Sequence, residues 1–418
     1  MLAGRLGRAS CIPRRMHHGP FRDPDSGEVL DQLNFVFMPG PASVTGEDVL
    51  EIHPHGNMLL VGRILRSLLA EPGLRPAEAG EFTRRAFEHG KVDLLQAEAV
   101  GQLIHAQTLR ALRNAQRTVS GGLSGPLRDL RDALVSLSVR LELDVDFSEE
   151  EADPEYASWL PRVADILHSL EKLTRSFEKG RQLGRVPRVV MLGAPNAGKS
   201  SLVNALAGED RLLVSDIPGT TRDYVEVPLH LPGGVVHLVD TAGLGRPLDG
   251  LDAMAMDRTR RQLQAADLRV LVQDGSAEHG EGPVQEASAA EASGLEGEFA
   301  LRVLTRGDLP GFRPRAGFLS VANPSRAGIA ELAARLDALA FGEGPDEDVL
   351  IASERQYRAL EAARERVAAA HANLRDTPAI EIAAFEIQEA AKHLRELLGE
   401  ISSEEVLRQI FSGFCIGK

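Results

Sequence analysis

A run of eight residues, 193–200, has the types and spacing of a phosphate-binding loop: two glycines separated by four residues and followed by Lys and Ser. The glycines allow successive backbone N–H groups to curl around phosphates, Lys199 can reach the terminal phosphates, and the Ser200 hydroxyl can ligate Mg²⁺. Residues 189–192 are apolar like a buried strand, and residues 201–206 begin a helical pattern. This order of strand, loop and helix predicts a nucleotide site and leaves a ligand-free glycine turn as the minor alternative.

Two downstream segments have the composition of phosphate-sensing switches. The sequence Gly-Thr-Thr-Arg-Asp at 219–223 offers Thr221 as a second Mg²⁺ ligand. After the apolar strand 235–239, Asp240 could hold the metal through water, and the Gly243 N–H could meet the γ-phosphate. The order and spacing of these segments after the phosphate loop predict GTPase architecture.

A third segment, Thr-Arg-Gly-Asp at 305–308, follows the apolar run 300–304 and is the candidate base reader. The Asp308 carboxylate can accept two hydrogen bonds from the guanine edge, which adenine cannot donate. The Arg306 stem can lie over the base, whereas Thr305 is shorter than the Asn usual at its position. We expect GTP to be preferred over ATP, with a plain surface turn as the alternative and with residues 320–322 as the last base-contacting loop.

Composition limits the other functions. The chain has 418 residues, 43% of them hydrophobic, which is enough for two or three domains. A net charge of −14 disfavours a general nucleic-acid coat, although arginines clustered within 1–22 and 110–131 are either solvated faces or local RNA contacts. The two cysteines imply no disulfide framework, and no apolar run approaches the ~18 residues that a membrane span needs.

The pattern along the chain predicts three parts. Residues 1–89, with strand-like runs at 34–38 and 49–53, form an N-terminal α/β domain. Helical periodicity at 92–145, broken at Gly121-Gly122 and Gly125-Pro126, and at 163–177, 354–374 and 380–398 predicts a discontinuous helical domain. The predicted fold is a P-loop GTPase domain, 186–345, inserted in an all-helical domain, 90–185 and 346–418, and preceded by a small α/β folate-binding-type domain.

The C-terminal residues 411–418, which end in Cys-Ile-Gly-Lys, carry a resemblance to a known family. Together with Pro-Asn-Ala-Gly-Lys-Ser at 195–200, Gly-Thr-Thr-Arg-Asp at 219–223 and the N-terminal stretches 37–51 and 80–87, they resemble the MnmE (TrmE) family of tRNA-modifying GTPases. The likeness covers essentially the whole chain.

The resemblance implies a cytoplasmic homodimer that hydrolyses GTP and modifies carbon 5 of the wobble uridine of tRNA with an FAD-containing, MnmG-like partner. A tetrahydrofolate derivative would donate the one-carbon unit. Glu51, Lys91 and Lys418 match the family's folate contacts, and Cys415 matches a cysteine suspected of a chemical role. With Mg²⁺ on Ser200 and Thr221, the family also uses K⁺, whose ligands match Asn196, Ser215, the Ile217 carbonyl and Thr220. By position, the GTP-binding residues are Asn196, Ala197, Gly198, Lys199, Ser200, Ser201, Ser215, Asp216, Ile217, Pro218, Gly219, Thr220, Thr221, Asp240, Thr241, Ala242, Gly243, Thr305 and Asp308.

The chain departs from the family pattern at three places. Asp252 occupies the position of the Glu that helps to orient the attacking water and is one methylene shorter. Ser215 replaces a Thr and keeps the hydroxyl. The family's opening strand and a Gly-rich, Arg-containing folate segment have no counterpart, so we expect a few tens of residues to be missing. Two alternatives remain open: an Era-like regulatory switch in RNA or ribosome assembly, and a degraded paralogue that binds nucleotide without turning it over.

Overall fold

A computed structural model describes residues 6, 11–146, 156–194, 196–208, 226–240, 265–276, 299–342, 349–376, 379–415 and 417. The strands within these ranges are β1 His17–Arg22, β2 Val29–Met38, β3 Val49–His53, β4 Arg188–Leu192, β5 Glu226–Leu231, β6 Gly234–Asp240, β7 Leu268–Asp274, β8 Leu301–Thr305 and β9 Leu319–Ser320. The helices are α1 Met58–Leu69, α2 Glu81–Glu88, α3 Leu94–His105, α4 Leu109–Val119, α5 Ser124–Asp146, α6 Tyr156–Leu183, α7 Lys199–Ala207, α8 Ile329–Phe341, α9 Glu354–Asp376, α10 Ile380–Leu398 and α11 Glu404–Ser412.

The chain divides into two compact units. The first comprises Met1–His105, Ala115–Phe177 and Val349–Lys418, and the second comprises Ala106–Asn114 and Glu178–Asp348. The nucleotide-type segment is therefore inserted into the first unit, as the sequence predicted. The exact domain boundaries stay a prediction.

The first unit begins with an antiparallel sheet of order β1-β2-β3. Alternate residues of β1 and β2 face inward, where Phe21, Leu33 and Phe35 are almost fully buried and pack with Ile64 of α1. The Asn57 side chain caps α1 by accepting hydrogen bonds from the first-turn N–H groups. The strands predicted at 34–38 and 49–53 are confirmed.

Helices α3, α5, α6, α9 and α10 supply a single hydrophobic core. Along α5, Leu127, Leu134 and Leu141 recur every seven residues and are completely buried. The buried faces of α9 and α10 include several alanines, whose small side chains let the helices approach closely: Ala363, Ala370, Ala383, Ala384, Ala390 and Ala391.

The helix break predicted at Gly121-Gly122 is confirmed: α4 ends at Val119, α5 begins at Ser124, and Gly121 between them has a φ of 85°. The prediction that Gly125-Pro126 also breaks the helix is wrong, because both residues belong to the first turn of α5, where the missing N–H of proline is tolerated. A second break, between α3 and α4, was not predicted.

The second unit contains a six-stranded sheet of order β5-β6-β4-β7-β8-β9. Strand β5 is antiparallel to β6, and the other neighbouring strands are parallel. The first parallel strand, β4, lies between β6 and β7, so the loop that follows it emerges where the direction of winding reverses. Parallel α/β sheets bind ligands at such a point.

Candidate nucleotide-binding site

The predicted phosphate loop connects β4 to α7. Gly193 has a φ of 154°, and a Cβ atom there would lie 2.0 Å from the Val272 carbonyl oxygen of β7. Gly198, with a φ of 89°, precedes α7, and a Cβ there would lie 3.3 Å from Thr305 Oγ1. The sheet and the neighbouring loop thus leave no room for side chains, which keeps the backbone N–H groups of the helix start available to an anion.

Lys199 is the first residue of α7, and its side chain is only 5% exposed. Its ammonium donates hydrogen bonds of 2.9 Å to the carbonyl oxygens of Gly193 and Ala194. These contacts hold the positive charge over the loop, where phosphate oxygens are attracted both by that charge and by the positive end of the helix dipole.

A cavity of about 500 Å³ extends from the loop toward β8. It is lined by Asn196, Gly198, Lys199, Ser200, Ser201, Thr305, Arg306, Asp308, Leu309, Asn323 and Pro324. The cavity therefore joins the phosphate side to the segment predicted to read the base. Its size is within the usual range for small-molecule pockets.

Thr305 connects the phosphate loop to the base-reading segment. Its side chain is 1% exposed, and its hydroxyl donates a 2.7 Å hydrogen bond to the Ala197 carbonyl oxygen, with the Gln273 carbonyl oxygen 3.2 Å away. The replacement of Asn by Thr, expected from sequence only to weaken base reading, leaves this connection between the loops intact.

Arg306 adds a second connection. Its guanidinium forms an ion pair of 2.8 Å with Asp274 at the end of β7 and donates to the Asn196 carbonyl oxygen at 3.0 Å. With the guanidinium fixed there, the Arg306 stem borders the cavity, consistent with a role in covering a base.

The structure brings together seven of the predicted GTP-binding residues as cavity lining: Asn196, Gly198, Lys199, Ser200, Ser201, Thr305 and Asp308. Ala197 is buried and contributes its carbonyl oxygen. Asp240 ends β6 beside Met191 of β4. The remaining predicted residues lie outside the described ranges: Ser215, Asp216, Ile217, Pro218, Gly219, Thr220, Thr221, Thr241, Ala242, Gly243, Asp252 and Lys418.

Sequence reasoning missed Asn323 and Pro324. The last base-contacting loop was expected at 320–322, yet the loop residues that border the cavity begin one position later. The signal available in the sequence was a polar Asn directly after the apolar pair Val321-Ala322 and before a Pro.

The described part of the site fits Mg²⁺ held mainly through phosphate oxygens and water. Ser200, on the first turn of α7, borders the cavity next to the glycine cradle and offers one hydroxyl. Within the described ranges, no group of three or more His, Cys, Asp or Glu residues is placed to form a metal cage. For K⁺, Asn196 borders the same cavity.

The candidate folate residues belong to the first unit. On β3, the Oε2 atom of Glu51 lies 3.4 Å from Nε2 of His53. The Lys91 ammonium donates a 3.0 Å hydrogen bond to the Pro41 carbonyl oxygen. Cys415 is exposed, and its carbonyl oxygen lies 3.5 Å from the backbone nitrogen of Gly80. The C-terminal segment is therefore held at the start of α2.

The same end of α2 carries a charged cluster. Glu81 accepts hydrogen bonds from Arg75 at 2.8 Å and from Arg85 at 2.6 Å, and Arg85 also pairs with Glu47 at 2.8 Å. The hydrogen bonds from Arg75 and the Glu78 backbone lower the pKa of Glu81 to about 2. The cluster thus links the loop 40–47 to the helix that contacts the C-terminal segment.

The sheet, its phosphate loop at the switch point and the carboxylate in the adjoining cavity define a P-loop nucleotide-binding protein. The family model "MnmE helical domain" matches residues 94–415, and "GTP-binding protein TrmE N-terminus" matches residues 3–91. The chain belongs to the MnmE (TrmE) family.

Curated relatives agree over nearly the full length. The "tRNA modification GTPase MnmE" of Azoarcus sp. is 40% identical over 97% of this chain and 90% of its own. Those of Methylorubrum populi and Rhodospirillum rubrum are each 38% identical, over 97% and 100% of this chain and 89% and 93% of their own. Among solved structures, the G domain of the T. maritima FeoB iron transporter is 25% identical and covers 37% of this chain and 99% of its own, with a TM-score of 0.29, which is too low to add to the assignment.

Proposed function

We propose that this chain hydrolyses GTP as the GTPase component of a tRNA wobble-uridine modification system. The observation that carries the proposal is the single cavity that joins Lys199 and the glycine cradle to Asp308. The curated relatives named tRNA modification GTPase, aligned over nearly the whole chain, support the same activity.

Each described side chain has a distinct task in this activity. Lys199 exchanges its carbonyl contacts for the terminal phosphate oxygens and opposes the charge that develops on them. Asp308 accepts hydrogen bonds from the two donors on the guanine edge, which excludes adenine. Thr305 and Arg306 keep the base-reading segment in register with the phosphate loop. Ser200 would help to hold Mg²⁺, which, when bound, would neutralise phosphate charge.

The finer assignments follow the family pattern. K⁺ beside the phosphates would supply the charge that an arginine finger supplies elsewhere, with Asn196 as its described ligand. A tetrahydrofolate derivative at Glu51 and Lys91, an MnmG-like FAD partner, a homodimer and a cytoplasmic location complete the proposal. None of the described helices is long and apolar enough to cross a membrane.

The first test is hydrolysis of GTP by the purified chain in K⁺ and in Na⁺ at equal ionic strength, with ATP as the alternative substrate. We expect turnover of GTP alone and a clear excess in K⁺. The variant Lys199→Ala should lose turnover under both conditions, which separates the activity of the chain from that of a contaminant.

Other results would change the proposal in definite ways. Equal rates in K⁺ and Na⁺ would remove the cation from the proposal but leave the GTPase. Nucleotide binding without turnover would contradict the enzymatic function and support the degraded paralogue. If the wobble uridine of tRNA stays unmodified when the chain is incubated with GTP, a folate donor and an MnmG-like partner, the modification role is contradicted while the GTPase activity stands.

A further inference from the structure

One polar atom at the base end of the cavity has no partner. Among the described residues, Asn323 Oδ1 is a buried side-chain atom without a hydrogen bond, and Asn323 borders the cavity together with Asp308. Buried polar atoms in proteins are nearly always paired, because an unpaired one loses its hydrogen bond to water without replacement. No protein hydrogen bond at Oδ1 therefore holds the Asn323 carboxamide in its present orientation, so it can turn toward a ligand in the cavity that the residue borders.

The backbone fixes Asn323 relative to Asp308. The Gly307 N–H, one residue before Asp308, donates to the Val321 carbonyl oxygen at 3.0 Å, and Val321 N–H donates to the Leu304 carbonyl oxygen at 2.8 Å. Asn323 is then held in a turn by the hydrogen bond from Arg326 N–H to its carbonyl oxygen. The two side chains consequently belong to adjacent, mutually bonded loops.

Three neighbouring donors are already engaged. The Ala322 N–H donates to the Ala327 carbonyl oxygen at 3.0 Å, and the Thr305 hydroxyl donates to Ala197. The Arg306 guanidinium is held by Asp274 and by the Asn196 carbonyl oxygen. Among these groups, the Asn323 carboxamide alone has an end that the protein leaves unpaired.

Guanine has a matching requirement. Its Watson–Crick edge places the acceptor O6 next to the donors N1–H and N2–H. The Asp308 carboxylate can only accept, so it takes the two donors and leaves O6 in need of a donor. A carboxamide carries an NH₂ group, and rotation about its last side-chain bond exchanges the NH₂ and oxygen ends in almost the same space.

We propose that Asn323 is a specificity-determining residue whose side-chain NH₂ donates to O6 of the guanine base. Asp308, as the acceptor, and Asn323, as the donor, then recognise the guanine edge together from two loops. In this chain, the amide that Thr305 lacks is supplied from the loop after β9. The inference rests on the proposed GTP site and deepens it.

The test compares GTP with 6-thio-GTP, which keeps both donors and replaces O6 by a weakly accepting sulfur. Equilibrium affinities are measured for the wild-type chain, Asn323→Asp and Asn323→Leu. Asn323→Asp keeps the shape and removes the donor, whereas Asn323→Leu removes all hydrogen bonding. Ser325→Ala, on the same loop, is the matched control because Ser325 does not border the cavity.

We expect Asn323→Leu to bind GTP about fivefold to tenfold more weakly, the loss of about one hydrogen bond. Asn323→Asp, which also places a negative charge against O6, should bind GTP at least as weakly, and both variants should lose most of the wild-type preference for GTP over 6-thio-GTP. Ser325→Ala should bind both as the wild type does. Because Oδ1 has no protein partner, Asn323→Leu should also leave the melting temperature of the nucleotide-free chain unchanged or raised. A merely structural role would lower that temperature and leave the preference intact.

Two outcomes overturn different claims. Unchanged GTP affinity and preference in Asn323→Asp and Asn323→Leu, in a wild-type chain that prefers GTP to ATP, would overturn the inference alone. A wild-type chain that binds ATP as tightly as GTP would overturn the proposed function and the inference with it.

Discussion

Substitution of Thr305 is the most direct test of how the two loops of the site are connected, because its buried hydroxyl bonds to the phosphate loop. Thr305→Val keeps the shape of the side chain and removes the 2.7 Å hydrogen bond to the Ala197 carbonyl oxygen. At 1% exposure, water cannot replace the lost donor. A buried hydrogen bond contributes about 0.5–1.5 kcal/mol net, and a buried acceptor left without a donor costs about 1–3 kcal/mol.

We therefore expect a loss of about 1–2 kcal/mol in the alignment of the phosphate loop with the base-reading segment. If the whole loss is expressed in binding, the affinity for GDP falls by about 5–30-fold, since about 1.4 kcal/mol corresponds to a factor of ten. The assay is equilibrium titration with GDP, monitored by calorimetry, for the wild type, Thr305→Val and Thr305→Ser.

Thr305→Ser is the matched control because it keeps the hydroxyl and removes only the methyl group. It should lower the melting temperature through lost packing and bind GDP within about twofold of the wild type. Wild-type affinity in Thr305→Val, or an equal loss in both variants, would refute the argument that this hydroxyl couples the two halves of the cavity.

Three further predictions concern other parts of the chain. Asp308→Asn should weaken GTP binding by at least about tenfold and improve binding of XTP, whose extra carbonyl accepts from the new NH₂; unchanged GTP affinity would contradict the role of Asp308. Because hydrogen bonds from Arg75, the Glu78 backbone and Arg85 lower the pKa of Glu81 from 4.5 to about 2, these contacts stabilise the fold above pH 4.5 and lose that effect as the pH falls toward 2. The melting temperature of Glu81→Gln should thus lie below that of the wild type at pH 7 and converge with it near pH 2, and an equal difference at both pH values would count against the cluster. Gly399→Ala, where φ is 84° and a Cβ would lie 2.7 Å from Leu94 Cβ, should destabilise the first unit by about 2–4 kcal/mol in urea unfolding. Gly90→Ala, with a similar φ of 65° but no atom within 4 Å, should cost about 1–2 kcal/mol, and a larger loss there would contradict the packing argument.

Local sequence predicted most of the phosphate side of the site. The strand β4, the loop and the helix α7 are adjacent in the chain, so the residue spacing alone predicts the strand–loop–helix geometry. Thr305 and Asp308 border the same cavity as the loop, because parallel strands bring their carboxyl ends to one edge of the sheet.

The geometry of the base-reading end of the cavity depends on contacts between residues far apart in the chain, which the spacing of motifs does not predict. The connection of Thr305 to Ala197 spans more than a hundred residues, and the position of Asn323 is set by the turn closed between Ala322 and Ala327. Gly125-Pro126 illustrates the same limit at the level of helices. A Gly-Pro pair is compatible both with a turn and with the first turn of a helix. The packing of α5 selects the helix here.

The helical core of the first unit has a consequence for biosynthesis. Its buried residues come from α3, α5 and α6 and then from α9 and α10, and residues 178–348 of the second unit are translated between the two groups. Burial of Leu127, Leu134 and Leu141 of α5 is completed by a helix that starts at Ile380. On the ribosome, all strands of the inserted sheet are translated before α9 and α10, the later partners of α5. The early helices therefore remain accessible to chaperones until the last tenth of the chain emerges. A nascent chain arrested after α8 should accordingly resist proteolysis in the insert before it does so in α5.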